Sequence, residues 1–192
     1  MKKKTIIILV ILLVIVVSSA WRFCPCGKEK TFSWSDNLSE IKVIIKEAKE
    51  GNKLLSEQLR SVQIVRESDL TGDGIPEALI LTGTGGAYTE DLALFILKDD
   101  KPALAKFIDE NGDRRSIIFT EGSSVRNGSK IDWQPENKII YTTSWSLNFN
   151  GTLDDCRADA YKYDNNKQAF VYDQNLSDSL GQEFCASLST SL

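Results

Sequence analysis

The sequence predicts an α+β fold, mostly β: an N-terminal transmembrane or signal helix, one amphipathic helix, an antiparallel meander of about seven to nine strands, and a short C-terminal helix. Three observations predict it. Apolar residues recur at helical spacing only near residues 37–60 and 176–188. The stretch between them breaks into short apolar-rich runs, several of them alternating, separated by clusters of Gly, Pro, Asn and Asp. A lysine cluster followed by an unbroken aliphatic run stands apart at the start of the chain.

That first segment reads Lys2-Lys3-Lys4, then twelve aliphatic residues from Ile6 to Val17, then Ser18-Ser19-Ala20. A basic start, an apolar run and small residues at −3 and −1 describe a secretory signal cleaved after Ala20. The uncharged stretch from Thr5 to Trp21 is 17 residues, the short limit for a spanning helix, and Trp21 and Arg22 suit the far interface. Residues 1–21 are therefore a signal anchor or a signal peptide. The lysines stay cytoplasmic in both cases, which places the rest outside: at the cell membrane with a single pass, or secreted after cleavage. Trp21, Arg22 and Phe23 are not the small residues that precede a bacterial lipoprotein cysteine.

Residues 22–35 form a stalk and residues 36–192 a single extracytoplasmic domain, a length that suits one core. Asn37 with Glu40 three residues on makes a capping box, and Leu38, Ile41, Ile45, Ala48, Leu55 and Leu59 form one apolar stripe, interrupted by Gly51-Asn52. Strands follow at 61–67, 77–81, 92–97, 103–108, 116–120, 130–133, 138–145, 156–163 and 168–172. Asp99-Asp100-Lys101-Pro102, Gln134-Pro135-Glu136-Asn137 and Asp164-Asn165-Asn166-Lys167 supply turns.

The cysteines are Cys24, Cys26, Cys156 and Cys185. Export permits disulfides. Pairing Cys156 with Cys185 closes a loop around the last hairpin and helix, although four cysteines allow three connectivities. Cys24-Pro25-Cys26 is an isolated C-x-C, which reads as stalk thiols more readily than as a metal or redox site.

Composition excludes several functions. The chain has no histidine, which removes Ser-His-Asp and Cys-His catalysis and histidine-ligated zinc. With Lys2, Lys3, Lys4 and Arg22 set aside, 19 of the 23 basic residues remain against 27 acids, a balance of −8. An acidic domain does not suit a nucleic-acid partner, which needs a basic face.

The stretch richest in chemistry is Asp69-Leu70-Thr71-Gly72-Asp73-Gly74-Ile75-Pro76-Glu77. Calcium takes six to eight oxygens from a tightly curved loop. Asp69, Thr71, Asp73 and Glu77 stand at positions 1, 3, 5 and 9, Ile75 at position 7 offers its carbonyl, and Gly74 allows the turn. Ile80 at position 12 excludes an EF-hand. The loop resembles the D-x-(D/N)-x-D-G-x-x-(D/E) loop of the FG-GAP and VCBS repeat families, over roughly Val65 to Leu81. That resemblance implies an extracellular protein with calcium (Ca2+) stiffening a junction between strands. One good copy does not make a propeller, and Thr71 in place of Asp or Asn weakens the ligand set. The run from Asp69 to Leu97 is also similar to small exported bacterial proteins of unknown function, a resemblance that implies no activity. The competing reading is a loop in which Asp69 and Asp73 only bind backbone amides. Asp109-Glu110-Asn111-Gly112-Asp113 starts similarly, but Arg114 replaces the needed glycine, and a hairpin turn is expected.

Weaker signals have plainer explanations. Gly83-Thr84-Gly85-Gly86 has no following lysine or helix and reads as an inter-strand turn, not a P-loop. Ser39-Glu40-Ile41-Lys42 and Ser35-Asp36-Asn37 match penicillin-binding motifs but sit side by side without K-T-G. Asp99-Asp100 and Asp154-Asp155 read as solvated turn charges. Trp34, Trp133 and Trp145 offer either a sugar or peptide surface or sheet packing. Four Asn-x-Ser/Thr sequons start at Asn37, Asn127, Asn150 and Asn175. The expected function is a non-catalytic, membrane-anchored or secreted domain that binds or adheres to an extracellular ligand or protein. The alternatives are an exported hydrolase of glycan or cell-wall material working through carboxylates, and an accessory or inhibitor subunit of a membrane protein.

Overall fold

Alternating side chains need a sheet with a buried face, and the computed structural model supplies one. It describes residues 32–50, 62–86 and 89–190. The N-terminal apolar run, the C-x-C pair, Leu55 and Leu59 lie outside the described residues. From Ser33 onward the chain forms one compact unit.

Helix α1 is Leu38–Glu50. The strands are β1 Gln63–Ser68, β2 Glu77–Gly86, β3 Thr89–Lys98, β4 Lys101–Leu104, β5 Phe107–Ile108, β6 Arg114–Arg115, β7 Ile118–Ser123, β8 Asn127–Gln134, β9 Ile139–Leu147, β10 Leu153–Asp164 and β11 Ala169–Tyr172, followed by helix α2, Gln174–Ser189. The fold is α+β and mostly sheet, as its periodicities predict. The sheet has eleven strands in the order β1-β2-β3-β7-β8-β9-β10-β11-β5-β6, with β4 also on β3.

It is not a pure meander. The predicted strand 103–108 is two strands with different partners. Leu104 pairs antiparallel with Phe95 of β3, whereas Phe107 pairs with Phe170 of β11 in parallel. Only Ala105 and Lys106 separate the two, and both join the ladders: the Ala105 amide donates to Leu94 (2.9 Å) and the Lys106 carbonyl accepts from Phe170 (2.8 Å). The hydrogen-bonded path therefore returns on itself, and the sheet curls around its core. Phe107 on β5 lies 5.4 Å from the Phe119 ring on β7, 5.2 Å from Tyr161 on β10 and 5.3 Å from Phe170 on β11. Leu70, Leu79, Leu92, Leu94, Ala105, Ile131 and Ile140 complete the buried cluster. Each such side chain contributes about 1.5–3 kcal/mol by leaving water.

The other face of β2 and β3, with Ala78, Ile80, Ala93 and Phe95, is also buried. Trp34 meets Phe95 edge-on at 6.5 Å, and Ile41 and Ile45 of α1 are buried. The expected capping box is absent. Ser35–Asn37 forms a 3-10 turn, and Asn37 donates its side-chain amide to the Ser33 carbonyl (2.8 Å), because the turn places it inside the helical run instead of at its head.

Helix α2 begins where β11 stops. The Asp173 carboxylate caps it on the Leu176 amide (3.1 Å), and the Asp173 amide still donates to the Ala160 carbonyl on β10 (3.0 Å). Ser177 on α2 accepts from the Ala160 amide (2.9 Å). One turn on, a Cβ at Gly181 would lie 3.3 Å from the Ala158 nitrogen, so the glycine is what lets the helix lie against this strand edge. The Cys156–Cys185 disulfide, one of the three pairings open to the sequence, fixes the far end.

Two readings of acidic and glycine pairs need correction. Asp154 and Asp155 lie in β10 at a bulge, not in a turn. Gly83 to Gly86 belong to β2, with Gly83 opposite Asp91, because antiparallel pairing with β3 continues through two bulges. Asp99 and Asp100 do form a turn, with φ of 51° and 60°, the left-handed pair that a two-residue hairpin requires. Asp109 closes the β5–β6 hairpin by accepting from the Asn111 and Asp113 amides (3.0 and 2.9 Å).

Candidate functional site

The loop between β1 and β2, with Glu77 at the start of β2, carries every candidate ligand. Leu70 is fully buried in the core cluster, so the second loop residue pins the segment inward. The indole nitrogen of Trp34 donates to the Pro76 carbonyl (2.7 Å). Gly72 and Gly74 have φ of 75° and 87°, where side chains are disfavoured, and they allow the chain to turn back on itself.

The carboxylates are turned into the loop. Asp69 accepts from the amides of Gly72 (2.6 Å) and Gly74 (3.0 Å). Asp73 accepts from the Ile75 amide (2.8 Å). Glu77 is only 2 % exposed; one oxygen accepts from the amides of Leu70 (2.6 Å) and Thr71 (3.0 Å), the other from the Thr71 hydroxyl (3.2 Å). Burial pushes the Glu77 carboxyl up to about 7 and the nearby Asp73 charge adds to this, while the Leu70 and Thr71 amides and the Thr71 hydroxyl pull it down. Burial likewise raises Tyr163, with Glu77 and Asp73 adding to the shift, which places its phenol in the field of the same loop.

A residue that sequence reasoning missed completes the site. Lys138 follows the turn Pro135–Asn137 in a left-handed conformation, φ 58°, and its ammonium donates to the Thr71 carbonyl (2.6 Å). It lies so close over Gly72 that a Cβ there would meet the lysine Cε and Nζ at 2.6 Å. No local pattern links positions 67 residues apart, so this contact leaves no sequence signature.

The chain matches no protein-family model, no curated protein and no solved structure.

Asp69, Thr71 and Asp73 thus share one loop with Glu77 at its end on β2, and Ile75 contributes its amide to Asp73. The donors suit calcium in kind: all are hard oxygens, and an ionised carboxylate has about four acceptor positions, of which the loop's amides and the Thr71 hydroxyl occupy one to three. The same bonds also satisfy the loop from within. Among the described residues no three acidic or cysteine side chains are arranged to hold a metal.

The three tryptophans do not form one surface. Trp34 is buried, Trp133 lies beneath the Arg66 guanidinium at 5.1 Å, and Trp145 packs against Gly128. Among the described residues no helix is long and apolar enough to cross a membrane.

Proposed function

We propose that the domain is a non-catalytic extracytoplasmic binding module, tethered to or released from the membrane, whose loop 69–77 takes a structural calcium ion. The observation that supports this reading is that Asp69 and Glu77, at the two ends of one glycine-bent segment, both turn their carboxylates back onto its amides. The Asp69, Asp73 and Glu77 carboxylates, the Thr71 hydroxyl and the Ile75 carbonyl would hold the ion. Its role is to stiffen the β1–β2 junction so that the sheet presents a fixed outer surface to an extracellular ligand or protein. With calcium at ten times its dissociation constant the fold gains about 1.4 kcal/mol.

A second reading has its own observation. The Lys138 ammonium on Thr71 already brings positive charge to the loop, and the amide bonds complete it, so a self-sufficient Asx-type turn needs no ion. Calorimetric titration and melting with calcium or chelator separate the two. The calcium reading expects heat and a higher melting temperature, both lost in Asp73→Ala and Glu77→Gln. No heat, and no change of melting temperature with chelator, leaves the self-bonded turn.

A further inference from the structure

The most exposed large apolar residues in the described chain are Val125 (91 %) and Phe149 (86 %). They stand at the tips of two hairpins, β7–β8 and β9–β10, and these tips are neighbours. The Leu147 amide donates to the Arg126 carbonyl (2.7 Å), and Asn127 pairs with Ser146. The Arg126 guanidinium lies 4.6 Å from the Phe149 ring centre.

Both tips are built, not frayed. Asn148 accepts from the amides of Asn150 (2.9 Å) and Thr152 (3.0 Å). The Ser124 hydroxyl and the Asn127 side chain are 2.7 Å apart. Such internal bonding holds an aromatic ring and an aliphatic side chain out in water, where neither gains from burial. Residues 122–129 and 147–153 contain no acid and one arginine, in a domain whose overall charge is negative.

We propose that these paired tips dip into a phospholipid surface carrying anionic headgroups. Phe149 and Val125 enter the interfacial layer, and Arg126 meets lipid phosphate. Aromatic rings favour that depth, and a basic residue near an anionic surface adds attraction. Two side chains hold a free protein only weakly. A chain tethered by its own apolar segment needs no more, because the tether supplies a high effective concentration of bilayer. The inference rests on the tethered form of the function proposed above. Eleven residues, 22–32, separate Trp21, the end of that segment, from Ser33, where the domain begins.

The test uses the full chain reconstituted in vesicles of mixed phosphatidylcholine and phosphatidylglycerol, with acyl chains brominated as quenchers. Phe149→Trp adds one fluorophore to the four native tryptophans, whose signal is subtracted with the unaltered chain. The proposal expects the added emission to shift to the blue and to be quenched. Arg126→Glu or vesicles of phosphatidylcholine alone should reduce that quenching several-fold. Flotation of the unaltered chain reports the tether separately. A chain that fails to float with vesicles overturns the tether and this proposal with it. A chain that floats while its added tryptophan emits as in water overturns the tip insertion alone. Equal quenching in neutral and anionic vesicles overturns the headgroup assignment. Absence of quenching together with cross-linking of position 149 to a membrane protein assigns the tips to a protein partner instead.

Discussion

Asp132 shows how single residues tie the curl of the sheet together. It lies on β8, and its carboxylate meets the guanidinium of Arg66 on β1 at 2.9 Å and the Lys130 ammonium at 3.3 Å. Burial works against its charge, but bonds from the Trp133 amide, Arg66 and Lys130 outweigh this and hold it below the usual carboxylate range. A group with a lowered native pKa stabilises the fold above its unfolded pKa and loses that contribution as pH falls through the native value. Asp132→Asn should therefore cost up to ~1 kcal/mol at neutral pH, the scale of a half-exposed pair. Urea denaturation at neutral pH and in strong acid should show the difference between the two proteins closing in acid; an undiminished difference would refute the ion-pair account. Legibility at this scale was uneven. That Asp69 and Asp73 can bind amides of their own loop was readable, because spacing within one loop is local; Glu77 on the Leu70 and Thr71 amides was not. Lys138 over Gly72 and Arg66 on Asp132 were not, because each joins segments that only the folded sheet brings together.

At the scale of elements, helix α2 completes an edge that β11 leaves uncovered. Bare strand edges invite pairing with other chains. Here Ser177, Gly181 and Cys185 run along Ala160, Ala158 and Cys156 in order. The disulfide spans 29 residues, and in the chain-entropy account a loop of that size stabilises by roughly 3.5 kcal/mol. Replacing both cysteines with serine should lower the urea midpoint accordingly without changing the far-ultraviolet circular dichroism. A shift within error would mean that the helix is held by Gly181 packing and the Asp173 cap alone. Helices and most strands were legible, since hydrophobic period and turn chemistry are local signals. The split of residues 103–108 was not: Ala103 to Ile108 reads as one short apolar-rich run, and only partner choice divides it.

At the scale of the whole molecule, the parallel pair β5–β11 joins Phe107 to Phe170 and makes the last hairpin part of the core. Removing residues 165–192 should therefore abolish cooperative unfolding, monitored by circular dichroism during urea titration, and not merely trim one end. A truncated chain that still unfolds in one sharp step would show that the curl closes without β11. The eleven-stranded curled sheet could not be read beforehand, because a meander and a self-returning sheet share one sequence of strands and differ only in a distant pairing.

The same pairing has a consequence for biosynthesis. A polypeptide made from its amino end presents Phe107 well before Phe170, so the curled sheet waits, seam open, with aromatic side chains wet. Folding must then end on a late, long-range closure, the slow kind. Any interruption of synthesis upstream of Ala169 would hand the quality-control proteases a sticky, unfinished protein in place of a smaller working one.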